Sequence, residues 1–271
     1  MVAIIVIVTL CAVLSLGKIN NERRYDGRSA AAWLVSSSDT SARTRTTAAA
    51  ALDYLWPVAG PLRGRIARAE VRLLDDPDAD VRDEATAALA GMATESLDVV
   101  SAVVTVLSRS PRLESRVQAA HVLGAAGSVA SAATPALIRA ACAREPSLRV
   151  AAVAALGDVG GSPDGPVMAA LARADADADE NVRTVAIEAM VGAHAAPDVL
   201  LPLAIRALRD PSAGVREQAV YVLAASSDTT RATRVALTAA ATDSEPTVRH
   251  LAVMALERRH ERARQPTPVG G

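Results

Sequence analysis

The stretch that decides the fold is Asp80-Val81-Arg82-Asp83-Glu84-Ala85-Thr86-Ala87-Ala88-Leu89, because the chain repeats it. Arginine recurs at 45, 82, 116, 149, 183, 216 and 249, at gaps of 37, 34, 33, 34, 33 and 33 residues. Each arginine is followed three residues on by alanine and seven residues on by Leu or Met: Ala48/Leu52, Ala85/Leu89, Ala119/Leu123, Ala152/Leu156, Ala186/Met190, Ala219/Leu223 and Ala252/Leu256. A fixed period of this size marks a repeat architecture. With each arginine as position zero, positions +3, +4 and +7 share one helical face, so every copy predicts an amphipathic helix with a buried stripe. A second apolar helix is expected upstream in each period, for example over 97–107, 136–143, 167–174, 199–208 and 232–240. Pro77, Pro111, Pro146, Pro211 and Pro246 punctuate the turns between them. The join between the first two units is longer, and Trp56-Pro57 and Gly60-Pro61 predict an irregular insertion there.

Composition agrees with this reading. Hydrophobic residues make up 51% of the 271 residues, yet aromatics are 2% and phenylalanine is absent, so helices can pack closely through small side chains. A β-sandwich would want more aromatic and β-branched strand runs. Net charge is −1, without the basic excess of a nucleic-acid binder, and no nucleic-acid partner is expected. The basic run Arg258, Arg259, His260, Arg262 and Arg264 reads as a helix C-terminus and a polar cap on the last repeat. Cys11 and Cys142 lack metal spacing, and Cys142 is expected to be a buried small hydrophobe.

Residues 1–17 carry no charged side chain. As a helix they would reach about 25 Å, near the roughly 30 Å hydrocarbon core of a bilayer. The expectation is a hydrophobic N-terminal helix acting as a single-pass membrane anchor. Lys18, Arg23, Arg24 and Arg28 follow it and would place the repeats on the cytoplasmic side. An uncleaved or cleaved signal, with a secreted or periplasmic array, is the alternative. The expected organisation is anchor 1–17, linker 18–28, repeat array 29–262 and a disordered tail 263–271.

The copies Asp80-Val81-Arg82 through Leu89, with Val182-Arg183, Val215-Arg216 and Val248-Arg249, resemble the HEAT-repeat family, and in particular the short HEAT-like repeats first associated with phycobilisome lyases. Tyr25-Asp26-Gly27-Arg28 followed by Ala32-Trp33-Leu34 is similar to the opening of bacterial HEAT-like proteins that follow a membrane anchor. The resemblance implies an all-α, right-handed α-solenoid of about seven helix-turn-helix units, with the second helix of each unit on the concave side.

Two positions vary freely between copies and mark a candidate binding face. They are +5 (Ala50, Ala87, His121, Ala154, Glu188, Tyr221, Met254) and +1 (Thr46, Asp83, Val117, Val150, Thr184, Glu217, His250). His121, Glu188, Glu217, Tyr221 and His250 are the candidate contact residues, and ordinary solvated positions are the plain alternative. Arg45, Arg82, Arg116, Arg149, Arg183, Arg216 and Arg249 read as structural. Each is expected to tie its helix to a turn carboxylate among Asp80, Glu114, Glu145, Asp179, Asp210 and Asp243. Trp33 and Trp56 are expected to cap the open N-terminal end of the array.

No catalytic or metal constellation accompanies the repeats. Asp175 to Glu180 lacks the glycine and distal glutamate of a calcium loop. Deoxyhypusine hydroxylases share this fold, but their paired His-Glu sites reduce here to His260-Glu261. The expected function is a non-catalytic scaffold that binds another protein, with no cofactor. A phycobilin-lyase-like, chromophore-handling subunit is the alternative.

Overall fold

The computed structural model describes residues 23–162 and 165–264. Among these, fourteen α-helices form seven pairs, and the only β feature is a single bridge between Tyr25 and Arg28. The first helices of the pairs are α1 (Ala30–Ser36), α3 (Arg63–Leu73), α5 (Leu97–Arg109), α7 (Thr134–Ala140), α9 (Pro166–Ala174), α11 (Pro197–Ala207) and α13 (Arg231–Ala240). The second helices are α2 (Ala42–Leu55), α4 (Ala79–Ala93), α6 (Leu113–Ala125), α8 (Pro146–Val159), α10 (Glu180–Gly192), α12 (Ala213–Ala225) and α14 (Pro246–Arg264). Each second helix packs on the second helix of the next pair, which makes a solenoid.

The seven arginines all lie near the starts of second helices. The invariant +3 alanines are fully buried in every pair. Small residues at these contacts let the backbones approach closely. Proline opens α8, α9, α11 and α14, where its missing N–H has no intrahelical partner to lose. Asp78 and Asp179 cap α4 and α10, each accepting two backbone N–H groups.

The N-terminal end is closed by aromatics. Trp33 and Trp56 are buried. Tyr25 packs edge-on against Trp33 and Tyr54, and the Trp33 indole N–H donates to the Tyr25 carbonyl at 3.0 Å. The Arg28 guanidinium stacks 4.0 Å above the Trp33 ring. The irregularity between the first two pairs is confined to two 3₁₀ turns, Trp56–Val58 and Gly60–Leu62, after which α3 is a regular helix.

Two expectations are corrected. Cys142 is exposed rather than buried, because α7 has ended and the residue sits in the turn beyond it, against the Arg173 guanidinium. Among the described residues no helix is long and apolar enough to cross a membrane. The longest helix of the array, α14, carries a run of charges, and the others are of fifteen residues or fewer. That finding stands against the expected single-pass anchoring and the cytoplasmic placement built on it. Residues 1–17, which carried the expectation of a hydrophobic helix, lie outside the described residues, as does the expected tail from 265 onward.

Candidate functional site: an apolar groove between the fifth and sixth pairs

The repeated arginine makes the same contacts wherever its partners exist. Arg183 Nη1 donates to the carbonyls of Asp177 (2.9 Å) and Ala178 (3.1 Å) in its own turn. Its Nε and Nη2 form a bidentate pair, both at 2.8 Å, with Asp210 in the next turn. Arg45 with Asp76, Arg149 with Asp177 and Arg216 with Asp243 repeat this geometry at 2.7–2.9 Å. Two planar forks in register suit arginine and not lysine. Burial works to raise the pKa of Asp76, Asp177 and Asp210, but the arginine hydrogen bonds and a backbone N–H outweigh it and hold these carboxyls below the ordinary range. For Asp243 the Arg216 hydrogen bond is the largest influence, in the same direction.

The carboxylate always stands six residues before the arginine of the following copy. Of the expected partners, Asp210 and Asp243 occupy that place. Asp76 and Asp177 are the partners in the other two cases, whereas Asp179 is a helix cap. Ser110 and Ala143 fill the column in the third and fourth copies. Arg82 and Arg116 accordingly bond to backbone carbonyls, Arg82 to Asp76 and Pro77 and Arg116 to Leu107. Within 175–179 each carboxylate is engaged: Asp175 by Arg206, Asp177 by Arg149, and Asp179 by the backbone of α10.

The clamps hold the turn ends of the second helices together. The opposite ends differ from step to step. A Cβ on Gly124 would meet the Ala155 Cα at 3.2 Å, and one on Gly157 would meet the Ala189 Cα at 2.6 Å, so α6, α8 and α10 close against one another. These contacts join position +8 of one copy to +6 of the next. The next such pair is Val191 and Val222. Five more side-chain carbons stand here than in the Gly157/Ala189 step, and a groove lies between the C-terminal ends of α10 and α12. Val191 remains 48% exposed. The apolar core divides at the same place, one cluster ending near Ala193 and the other built from Ile187, Ala204 and residues beyond.

The groove measures about 700 Å³. Glu188 and Val191 of α10 form one wall, and Gln218, Tyr221, Val222 and Ala225 of α12 form the other. Ala195, Pro197, Leu200 and Leu201 supply an apolar floor, and Ser226, Ser227 and Asp228 form the lip. Helix α11 itself is under-packed. Only Ala204 and Ala207 are fully buried, and Val199, Leu200, Leu201, Leu203 and Ile205 stay partly exposed. In α5 by contrast Val99, Val100, Val103, Val106 and Leu107 are all buried. Pro202 lies inside α11 and removes one backbone hydrogen bond from it.

The lip is fixed from behind. Arg259 of α14 donates to the carbonyls of Asp228 and Leu223. Hydrogen bonds from the Thr233 and Thr230 side chains keep the Asp228 carboxyl below its ordinary pKa. Glu188 and Asp228 are the charged groups lining the groove, and among the described residues no arginine, lysine or histidine lines it.

Of the five candidate contact residues, the structure brings Glu188 and Tyr221 together on this groove, with Tyr221 49% exposed. His121 is exposed two pairs away on α6. Glu217 is half-buried near the turn end of α12, and His250 is exposed on α14, so neither reaches the groove. Val191, Val222, Leu200, Leu201 and Asp228 were not singled out from the sequence. The change from Gly124 and Gly157 to Val191 at position +8 is the signal that would have found them.

Comparison with solved structures supports the fold. The Escherichia coli protein YibA is similar over 75% of this chain and 76% of its own, at 19% identity and a TM-score of 0.58. An archaeal HEAT-like repeats protein from Thermococcus onnurineus is similar over 82% of this chain and 98% of its own, at 12% identity and a TM-score of 0.50. The complex of CpcE and CpcF of phycocyanin lyase from Nostoc reaches a TM-score of 0.47 at 16% identity, covering 88% of this chain and 97% of its own, too distant to bear on activity. No curated protein matches the chain. The family model for HEAT repeats matches residues 100–191 and 166–257, more than half of the sequence, and this chain therefore belongs to the HEAT-repeat family.

Proposed function

We propose that this HEAT-repeat array is a non-catalytic scaffold that binds a segment of another protein in the groove between its fifth and sixth pairs. The binding unit in this reading is the whole array over 29–262, with the second helices on the concave side. One observation carries it: the two steps before the groove approach closely at Gly124/Ala155 and Gly157/Ala189, and the next step carries a groove lined by Val191 and Val222. An apolar surface left unpartnered in a folded chain marks an interaction site. Tyr221 at its edge is the kind of half-exposed aromatic that anchors protein interfaces. The repeated arginines are structural in this reading, because their guanidinium donors are taken up by turn carbonyls and carboxylates rather than presented to a ligand.

Affinity capture from cells of the source organism, quantified against a Tyr221→Ala/Glu188→Lys double variant, tests the proposal. A protein retained by the wild-type chain, lost with the double variant and kept by a His121→Ala/Ala87→Glu control is the expected result. Equal retention by all three chains would move the binding surface elsewhere.

A further inference from the structure

We infer that the occupant of this groove is an amphipathic α-helix of a partner protein that carries lysine or arginine beside its apolar stripe. The inference rests on the groove being the binding site and goes on to its chemistry. Three observations carry it. First, the walls are the sides of α10 and α12, whose backbone N–H and C=O groups are already bonded within their own helices. An extended segment laid there would bury its own backbone groups without partners, whereas a helix satisfies them internally. Second, the floor is apolar, set by Leu200, Leu201 and Val191, and fits side chains projecting at i, i+3, i+4 and i+7 from one helical face. Third, the charges at the rim have one sign. Glu188 stands on one wall and Asp228 at the lip; Arg259 lies behind Asp228 and acts on its carboxyl, so Glu188 is the rim charge turned to an occupant. Asp198 lies on the adjoining apolar surface that continues past Pro197 and Leu201 toward Pro202 and Ile205. The chain as a whole is nearly neutral, at −1, so this rim is a local feature. Complementary charge selects and orients a partner helix more than it adds affinity.

The test uses the full chain and three synthetic helical peptides of about 18 residues, long enough to be helical. They share one leucine/alanine stripe and differ at a single flanking position, Lys, Gln or Glu. Fluorescence anisotropy is expected to show the Lys peptide binding about fivefold to tenfold more tightly than the Glu peptide, as befits a partly exposed charge pair. Glu188→Lys should reverse that order, and Val191→Asp, at a half-exposed position that folding tolerates, should abolish binding of all three. Equal binding of the three peptides, or an order unmoved by Glu188→Lys, would overturn the cationic helix while leaving the groove as a binding site. Binding unaffected by Val191→Asp, or no binding by any peptide, would overturn both readings. Self-association that Val191→Asp dissolves and peptides do not displace would make a second copy of the chain the occupant and overturn the inference. Equal binding by a proline-interrupted peptide of the same composition would overturn the helical form.

Discussion

The step from the fourth pair to the fifth and the step from the fifth to the sixth begin identically and end differently. Arg149 grips Asp177 in the first and Arg183 grips Asp210 in the second, with the same two-pronged geometry. At the far ends of the same helices, Gly157 lets α8 touch Ala189 of α10, and Val191 and Val222 line a groove between α10 and α12. A repeat array thus gains a groove without adding a loop or a domain. It keeps the clamp and changes the side-chain volume at one end of a helix pair, and the step opens like a wedge hinged at its turn.

The largest expected effect tests how much strain the closed part of the array carries. Glu70 of α3 is fully buried and neither of its carboxylate oxygens has a hydrogen-bond partner. Desolvation, with Asp53 and Glu84 nearby, pushes its pKa up to about 8. An ordinary glutamate in the unfolded chain titrates near 4.3. Its contribution to stability is therefore fully present below the unfolded value, declines as pH rises between the two values, and is lost above about 8. Glu70→Gln should stabilise the protein by on the order of 5 kcal/mol at pH 9 and by almost nothing at pH 4. Urea melts at the two pH values decide this, and a gain independent of pH would show that Glu70 is not the titrating group.

The clamps come next. Arg183→Ala strands Asp210 in a mostly buried position, and the expected loss is about 3 kcal/mol. Arg116→Ala, which breaks only a contact to the Leu107 carbonyl, should cost about 1 kcal/mol. If the wedge is hinged at Arg183, its loss should also uncouple the last two pairs and split the melt into two transitions. Equal losses from the two arginines would mean that the carboxylate fork adds nothing. The lowered pKa values of Asp210 and Asp243 place the acid loss of these clamps below the ordinary carboxylate range, as pH falls through the folded-state values.

Smaller effects separate the closed ends from the open one. Gly157→Ala drives a methyl into the Ala189 backbone, and overpacking of this kind costs about 1–3 kcal/mol. Gly91 lies in α4 with nothing within 4 Å of an added Cβ, so Gly91→Ala should stabilise by about 0.5–1 kcal/mol through helix propensity alone. Val191→Ser at the open step should stay within about 0.5 kcal/mol of wild type, as exposed positions do. Thermal melts should place Gly91→Ala above wild type, Val191→Ser beside it and Gly157→Ala lowest. A large loss at Val191 would show that the step is packed shut.

Much of this was legible before any coordinates. The period of the arginines and the +3 alanines placed every second helix, because both properties belong to single positions repeated seven times. The partners of the arginines were half legible. Asp179 shares its turn with Asp177, and Glu145 stands at the same kind of helix start one pair earlier, since helix N-termini favour acids for capping and for the dipole; only the register of the stacked helices tells a cap from a clamp. Glu188 and Tyr221 stood out as variable positions, and their neighbours in the groove did not. Val191 and Val222 look like ordinary core residues in one dimension. Their meaning lies in what the preceding copies have instead, and in the mutual distance of two helix ends that no single copy encodes.

The most direct test places a photo-crosslinking amino acid at position 221 and, in a second chain, at position 154, the same +5 site on the closed step. Both chains are irradiated in cells of the source organism, and adducts are resolved by mass. The wedge account predicts a discrete protein adduct at 221 and none at 154. Adducts of equal yield at both positions, or at 154 alone, would contradict it.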